Sequence, residues 1–174
     1  MSLIYLRQAR PADAAASLEI LLAAKRFLKA SGSTQWQTPG YPSQEIVAAD
    51  IATGTGMVLM VHDQVAGYAA LVVGDEPTYQ VIKGGSWQDN DHPYATIHRL
   101  SVSDAFRGQH LAKFLFSNLI SVGLAKGVRN FRIDTGRKNQ IVQHLAESNG
   151  FSHRGTIFVD DPADRSRLAY ELNL

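Results

Sequence analysis

From Ile4 to Gln8 apolar and polar residues alternate, the period of a strand with one face on a core. Pro11 then suits the first position of a helix, where its missing N–H would have had no partner. Ser17, Ile20, Leu21, Ala24, Phe27 and Leu28 recur at helical spacing, so this helix carries one apolar stripe and ends near Ser31 and Gly32. Ser33 to Pro42 is rich in turn formers and contains Trp36 and Tyr41 in the phrase QWQTPGYP. It reads as an irregular loop in which Trp36 either plugs the core edge or walls a substrate pocket. Ser43 is placed to cap a short helix through Ile46, Val47 and Ile51, closed by Gly54 to Gly56.

Met57 to His62 and Val65 to Val73 are rich in β-formers and separated by Asp63 and Gln64, which predicts a hairpin. Gly74 to Pro93 shifts to Gly, Asp, Asn and Pro with Tyr79, Val81, Ile82 and Trp87 embedded, an insertion and not a second domain. YATIHRLSV is long enough for a central strand. Regular alternation puts Tyr94, Thr96, His98, Leu100 and Val102 on one side of it, with Ile97 and Arg99 on the other. A helix from Gly108 carries Leu111, Phe114, Leu115, Leu119 and Val122 on one stripe and ends at Gly127. Asn130 to Asp134 predicts a strand, Lys138 onward a shorter helix with Val142 and Leu145 that stops at Gly150, and Phe151 and the stretch RLAYEL the last two strands. Strands interleaved with helices indicate a mixed α/β sheet packed on both faces.

A chain of 174 residues, 45% apolar and 19% charged, suits one folded domain spanning residues 1–174. Seventeen Lys and Arg against sixteen Asp and Glu leave no global field to hold nucleic acid or an anionic membrane. The absence of cysteine removes disulfides, thiolate metal sites and thiol nucleophiles, and fits a reducing, cytoplasmic home. No apolar run approaches the ~18 residues of a membrane span, and the start lacks a signal-peptide core. The six histidines form no tight ligand pair, so no metal is expected.

Candidate chemistry concentrates in LSVSDAFRGQHLAKFL, where a strand runs through a short turn into an amphipathic helix. Such a junction suits an anion, because the first-turn N–H groups are unpaired and the helix dipole points its positive end at the turn. A pyrophosphate fits, with Gly108 allowing close backbone approach and Arg107 adding charge-assisted hydrogen bonds. The order Leu100-x-Val102, Arg107-Gly108-Gln109-His110-Leu111-Ala112, Asn139, and Asn149-Gly150-Phe151 resembles the GNAT superfamily of N-acetyltransferases. His110 stands where that family usually has glycine, a departure compatible with a position of negative φ, since the loop binds phosphate through backbone N–H groups.

The resemblance implies a GNAT-like α/β fold: a mixed, mainly antiparallel central sheet with splayed strands, flanked by helices on both faces. It implies acetyl-coenzyme A as co-substrate. Leu100, Ser101 and Val102 would offer backbone groups to the pantetheine arm. Arg107, Gly108, Gln109, His110, Leu111, Ala112 and Lys113 would hold the pyrophosphate, and Asn139 would bond the pantetheine or cap its helix. The tyrosine that many relatives use to protonate the departing thiolate is absent, its position being taken by Ala146.

A base is still needed, because an alkylammonium of pKa ~10.4 has no free lone pair. His98 and Tyr94 on the central strand are the candidates, His98 being favoured by its reference pKa of ~6.5, although a lone strand histidine is also a common core residue. His144 is a lesser candidate, and Asp134 is either a cap or an orienting group. Without cysteine, direct attack fits better than a covalent relay. The expected activity is acetyl transfer to a primary amine, in the first place a small molecule, because the Trp36 loop and the 74–93 insertion suggest an enclosed pocket. The alternatives are acetylation of a protein N-terminus or lysine, and a non-catalytic acyl-coenzyme A binding module. No nucleic acid or membrane partner is expected, and a homodimer is compatible with this reading.

Overall fold

The alternating N-terminal residues form strand β1 (Ile4–Gln8) in the computed structural model, which describes residues 3–162 and 164–174. Pro11 opens a 3-10 turn, Pro11–Asp13, instead of the expected α-helix. Asp13 is held there by the Arg7 guanidinium at 2.7 and 2.9 Å and by the Arg10 amide at 2.7 Å. Helix α1 (Ala14–Ala30) follows and buries Ser17, Ile20, Leu21 and Leu28, whereas Phe27 is exposed. Helix α2 (Gln44–Ala52) begins where Ser43 Oγ accepts from the Ile46 amide at 3.4 Å. Strands β2 (Gly56–Val61) and β3 (Gln64–Val73) make the hairpin with its turn at His62 and Asp63, one residue earlier than the expected Asp63 and Gln64, and His62 takes the positive φ that a tight turn needs.

After the 74–93 insertion come β4 (Tyr94–Val102), α3 (Leu111–Ala125), β5 (Asn130–Thr135), α4 (Gln140–Ser148), β6 (Ser152–Phe158) and β7 (Ser166–Asn173). The strands form one seven-stranded sheet in the order β1-β2-β3-β4-β5-β7-β6. Every neighbouring pair is antiparallel except β4 and β5. On one face α3 and α4 bury Leu111, Leu115, Phe116, Leu119 and Leu145 against Leu59, Leu71, Ile97, Phe131 and Ile133. On the other, Leu21 of α1 and Val47 of α2 cover Val58, Met60 and Tyr68. The insertion lays Tyr79 and Trp87 against Tyr94, Ile157 and Ala169. The mixed α/β sheet with helices on both faces is as the sequence implies. No helix among the described residues is long and apolar enough to cross a membrane.

Two expectations are corrected. Helix α3 starts at Leu111, not Gly108, because a 3-10 turn at Asp104–Phe106 and two left-handed residues, Gly108 and His110, occupy the junction. Its buried stripe accordingly takes Phe116 and leaves Phe114 exposed. Strand β4 does not alternate regularly. Ala70 pairs with His98 but Tyr68 pairs with Ser101, so β4 spends one extra residue, and Arg99 sits at φ +56°. A bulge of this kind inverts the phase of everything beyond it. Leu100 and Val102 therefore join Ala95 and Ile97 on the α3 face instead of sharing the side of His98.

Candidate active site

Strand β4 pairs with β5 only from Tyr94–Asn130 to Thr96–Arg132, although β4 continues to Val102 and β5 to Thr135. Beyond Thr96 the two strands part, and the β5-facing edge of β4 has no strand partner among the described residues. A cavity of about 840 Å³ opens at the split, reaching from His98 to the turn before α3. Leu100, Ser101 and Val102 line it, as do Ile133, Asp134 and Thr135 from the opposite strand. Thr135 Oγ1 and Ser101 Oγ are both buried and have no hydrogen-bond partner among the described residues, an unusual state for interior hydroxyls.

Arg107, Gly108, His110, Leu111 and Ala112 line the far end of the cavity, whereas Gln109 and Lys113 do not. Lys113 N–H returns to the His110 carbonyl at 3.1 Å, but no acceptor engages the amides of Gly108, His110, Leu111 and Ala112 among the described residues. Gly108 has φ +82°, and a Cβ there would meet nothing within 4 Å, so its glycine answers to backbone conformation and not to crowding. The expectation of negative φ at His110 is overturned: it is left-handed, at φ +55° and ψ +24°. Histidine is among the side chains enriched in that region. The turn thus keeps a glycine-like backbone at an exposed histidine of the cavity lining.

At the other end His98 Nε2 lies 3.1 Å from Glu76 Oε2, with both side chains about one-fifth exposed. The hydrogen bond to His98 holds the Glu76 carboxyl down at about 2 against the opposing effect of burial. Glu76 is itself pinned by Thr78, whose hydroxyl donates to Oε1 at 2.9 Å. Tyr94 is not placed for proton transfer. It is buried, does not line the cavity, and its hydroxyl accepts from the Glu76 amide at 2.7 Å. Asp134 accepts from the Tyr79 hydroxyl at 2.8 Å, and burial raises its carboxyl above the ordinary value. His144 is exposed on α4 outside the cavity, and Ala146 is fully buried in the main core.

Asn139 lines the cavity and caps α4, its Oδ1 accepting from the Val142 amide at 3.4 Å. Its Nδ2 donates to Gln35 Oε1 at 3.4 Å, and the same oxygen takes the Gly136 amide at 3.1 Å. Gln35 belongs to the loop after α1, which roofs the cavity with Trp36, Thr38 and Tyr41. Thr38 Oγ1 donates to Asp161 Oδ1 at 2.7 Å, tying that loop to the β6–β7 connection.

The model of the Acetyltransferase (GNAT) family matches residues 21–151. A GNAT acetyltransferase from Streptococcus agalactiae is 31% identical, with 98% of this chain and 95% of that one covered at a TM-score of 0.90. The chain belongs to the GNAT acetyltransferase family. A GNAT acetyltransferase from Listeria monocytogenes shares the fold at 22% identity, with both chains covered completely and a TM-score of 0.74. An N-acetyltransferase from Staphylococcus aureus does so at 21% identity, with 99% of each chain covered and a TM-score of 0.69. No curated protein matches the chain.

Several residues of this candidate site in a GNAT acetyltransferase escape a reading of its sequence. Glu76 lies in the polar insertion, 22 residues from the histidine it meets. Gln35 reaches its partners across more than a hundred residues, and Tyr41 and Arg99 enter the cavity through a loop and a bulge without regular periodicity. Only the excess of aromatic side chains in QWQTPGYP signalled that its loop faces something.

Proposed function

We propose that the protein transfers an acetyl group from acetyl-coenzyme A to a primary amine of a small molecule by direct attack. The observation that carries this reading is the parting of β4 from β5 beyond Thr96, which opens one cavity between a histidine–carboxylate pair and an amide-lined turn. The chain fits the co-substrate at three places. The free edge of β4 offers amide groups to a pantetheine arm, the buried hydroxyls of Thr135 and Ser101 lack partners among the described residues, and the unengaged amides of Gly108, His110, Leu111 and Ala112 lie with Arg107 at the turn where a pyrophosphate would lie. Bound acetyl-coenzyme A supplies the thioester carbon to which the amine nitrogen bonds as the carbon–sulfur bond breaks and the thiolate departs.

His98 is the proposed base. With Glu76 ionised, His98 Nε2 donates to it, and in the neutral ring the lone pair is then on Nδ1. Nδ1 takes the proton of the incoming ammonium, and Glu76 stabilises the resulting imidazolium. A carboxylate at about 2 is too weak a base to do this itself. The Thr38–Asp161 bond across the roof favours a small acceptor over a peptide, which needs an open groove.

Free coenzyme A release over a panel of amines tests the reading. Turnover is expected, and His98→Ala is expected to lower kcat/KM at neutral pH by ~10²-fold or more and to remove the acidic limb of the pH profile. A folded His98→Ala protein that keeps both rate and limb would overturn the assignment of the base.

A further inference from the structure

The α1 side of the cavity has a definite chemistry. Ala23, Ala24, Phe27 and Leu28 of α1 give it an apolar wall, and Trp36 and Tyr41 line it beside them. Trp36 sits at φ +66°, a left-handed backbone that is unfavourable for a bulky side chain. The surrounding structure imposes it: the half-buried indole packs on the cluster of Ala9, Leu21, Val58 and Tyr68. Its ring meets Tyr41 edge-on, with centroids 6.0 Å apart and planes at 64°. A strained aromatic anchored on one side and facing a cavity on the other is a recognition surface for a flat apolar group.

Charge narrows the choice. Apart from Arg107 at the turn, the arginines lining the cavity are Arg99 and Arg167. Arg99 forks onto Asp50 at 2.6 and 3.0 Å, and Arg167 lies 3.4 Å from Asp161 and 3.0 Å from Asp164. Both guanidinium groups are committed to carboxylates of the chain itself. Glu76 and Asp160 meanwhile add negative charge to the lining. An acceptor bearing its own carboxylate would be desolvated there opposite carboxylates, and among the described lining residues no arginine other than Arg107 at the turn is left uncommitted to compensate.

We infer that the acceptor is an arylalkylamine, a primary amine on an aromatic body without a carboxylate, whose ring lies against Trp36. This rests on the amine-acetylation reading above and specifies its substrate. The arylalkyl body enters along the α1 wall and leaves its ammonium at the His98 end.

The chain has two tryptophans, and Trp87 is buried with its indole N–H donated to the Tyr79 carbonyl at 2.8 Å, so a ligand-dependent change in emission reports on Trp36. 2-Phenylethylamine is expected to perturb tryptophan emission saturably without any co-substrate, and to lose that effect in Trp36→Gly. Glycine accepts the left-handed backbone, and Trp36→Asn serves as a second variant should the glycine protein fail to fold. In turnover, 2-phenylethylamine should exceed butylamine in kcat/KM by ~10-fold or more and exceed L-phenylalanine by ~100-fold or more. The first preference should fall below ~3-fold in Trp36→Gly. Equal or better use of butylamine, a diamine such as putrescine, or L-phenylalanine overturns the proposal, as does a preference unchanged in the variants. Absence of coenzyme A release with every amine is instead the failure of the amine-acetylation reading, and the emission measurement still decides whether arylalkylamines bind at Trp36.

Discussion

His98 and Glu76 form a pair in which each residue does what the other cannot. The carboxylate, drawn down to about 2 by its bond to the imidazole, is ionised at any working pH and holds the ring in one orientation through Nε2. That coupling also links the site to folding. A carboxyl whose pKa is lower folded than unfolded binds fewer protons in the native state, so stability rises with pH between the two values. For Glu76 the contribution is complete above about 4.5 and is lost as pH falls toward about 2. Glu76→Gln is accordingly expected to cost about 1–3 kcal/mol at pH 7, with the gap between variant and parent closing as melts are repeated down to pH 3. A gap that stays constant over that range would show that Glu76 acts by shape and not by charge. Tyr94, which shares the strand with His98, serves the pair from beneath by fixing the Glu76 backbone through its hydroxyl.

At the scale of elements, β4 and the turn that follows it set the reach of the site. The turn depends on a left-handed Gly108, and proline there would both remove an unpaired amide and demand φ near −65°. Gly108→Pro should therefore weaken acetyl-coenzyme A binding, measured by calorimetry, by more than the ~10-fold that ~1.4 kcal/mol represents. An unchanged dissociation constant in a folded variant would remove the turn from the site. This junction was legible in the sequence because its signals are local: a strand pattern, a glycine and an amphipathic helix within a few residues. The phase of β4 was not, because a bulge is set by the fit of β3 against β4, and no residue in YATIHRLSV announces that Arg99 will be the one left over. The backbone of His110 was misread for a related reason. Histidine reads as an ordinary side chain, and only the chain path from the 3-10 turn at Asp104–Phe106 into α3 requires it to be left-handed.

Across the whole molecule, the strand and helix order and the sheet packed on both faces follow from periodicity, which each segment carries in itself. What joins distant segments does not. The insertion, whose composition gives no sign of what holds it, is clamped to the sheet where Arg132, stacked 4.2 Å from the Trp87 ring and 4.0 Å from that of Tyr94, binds Glu171 at 3.2 Å. That clamp supports the segment from which Glu76 reaches the cavity. The Thr38–Asp161 bridge and the Gln35 contacts similarly assemble the roof from parts of the chain that share no local pattern.

The phase inversion at Arg99 has a kinetic consequence. One strand presents His98 toward the α1 side of the sheet and, past the extra residue, Leu100 and Val102 toward the α3 side. In the proposed reaction, donor and acceptor would approach the same gap from opposite faces, so that neither occupies the other's route and both can be held at once. Initial rates measured against one substrate at several fixed levels of the other should give intersecting double-reciprocal lines. Parallel lines, the signature of a substituted enzyme that releases its first product before the second substrate arrives, would mean that the gap serves them in turn.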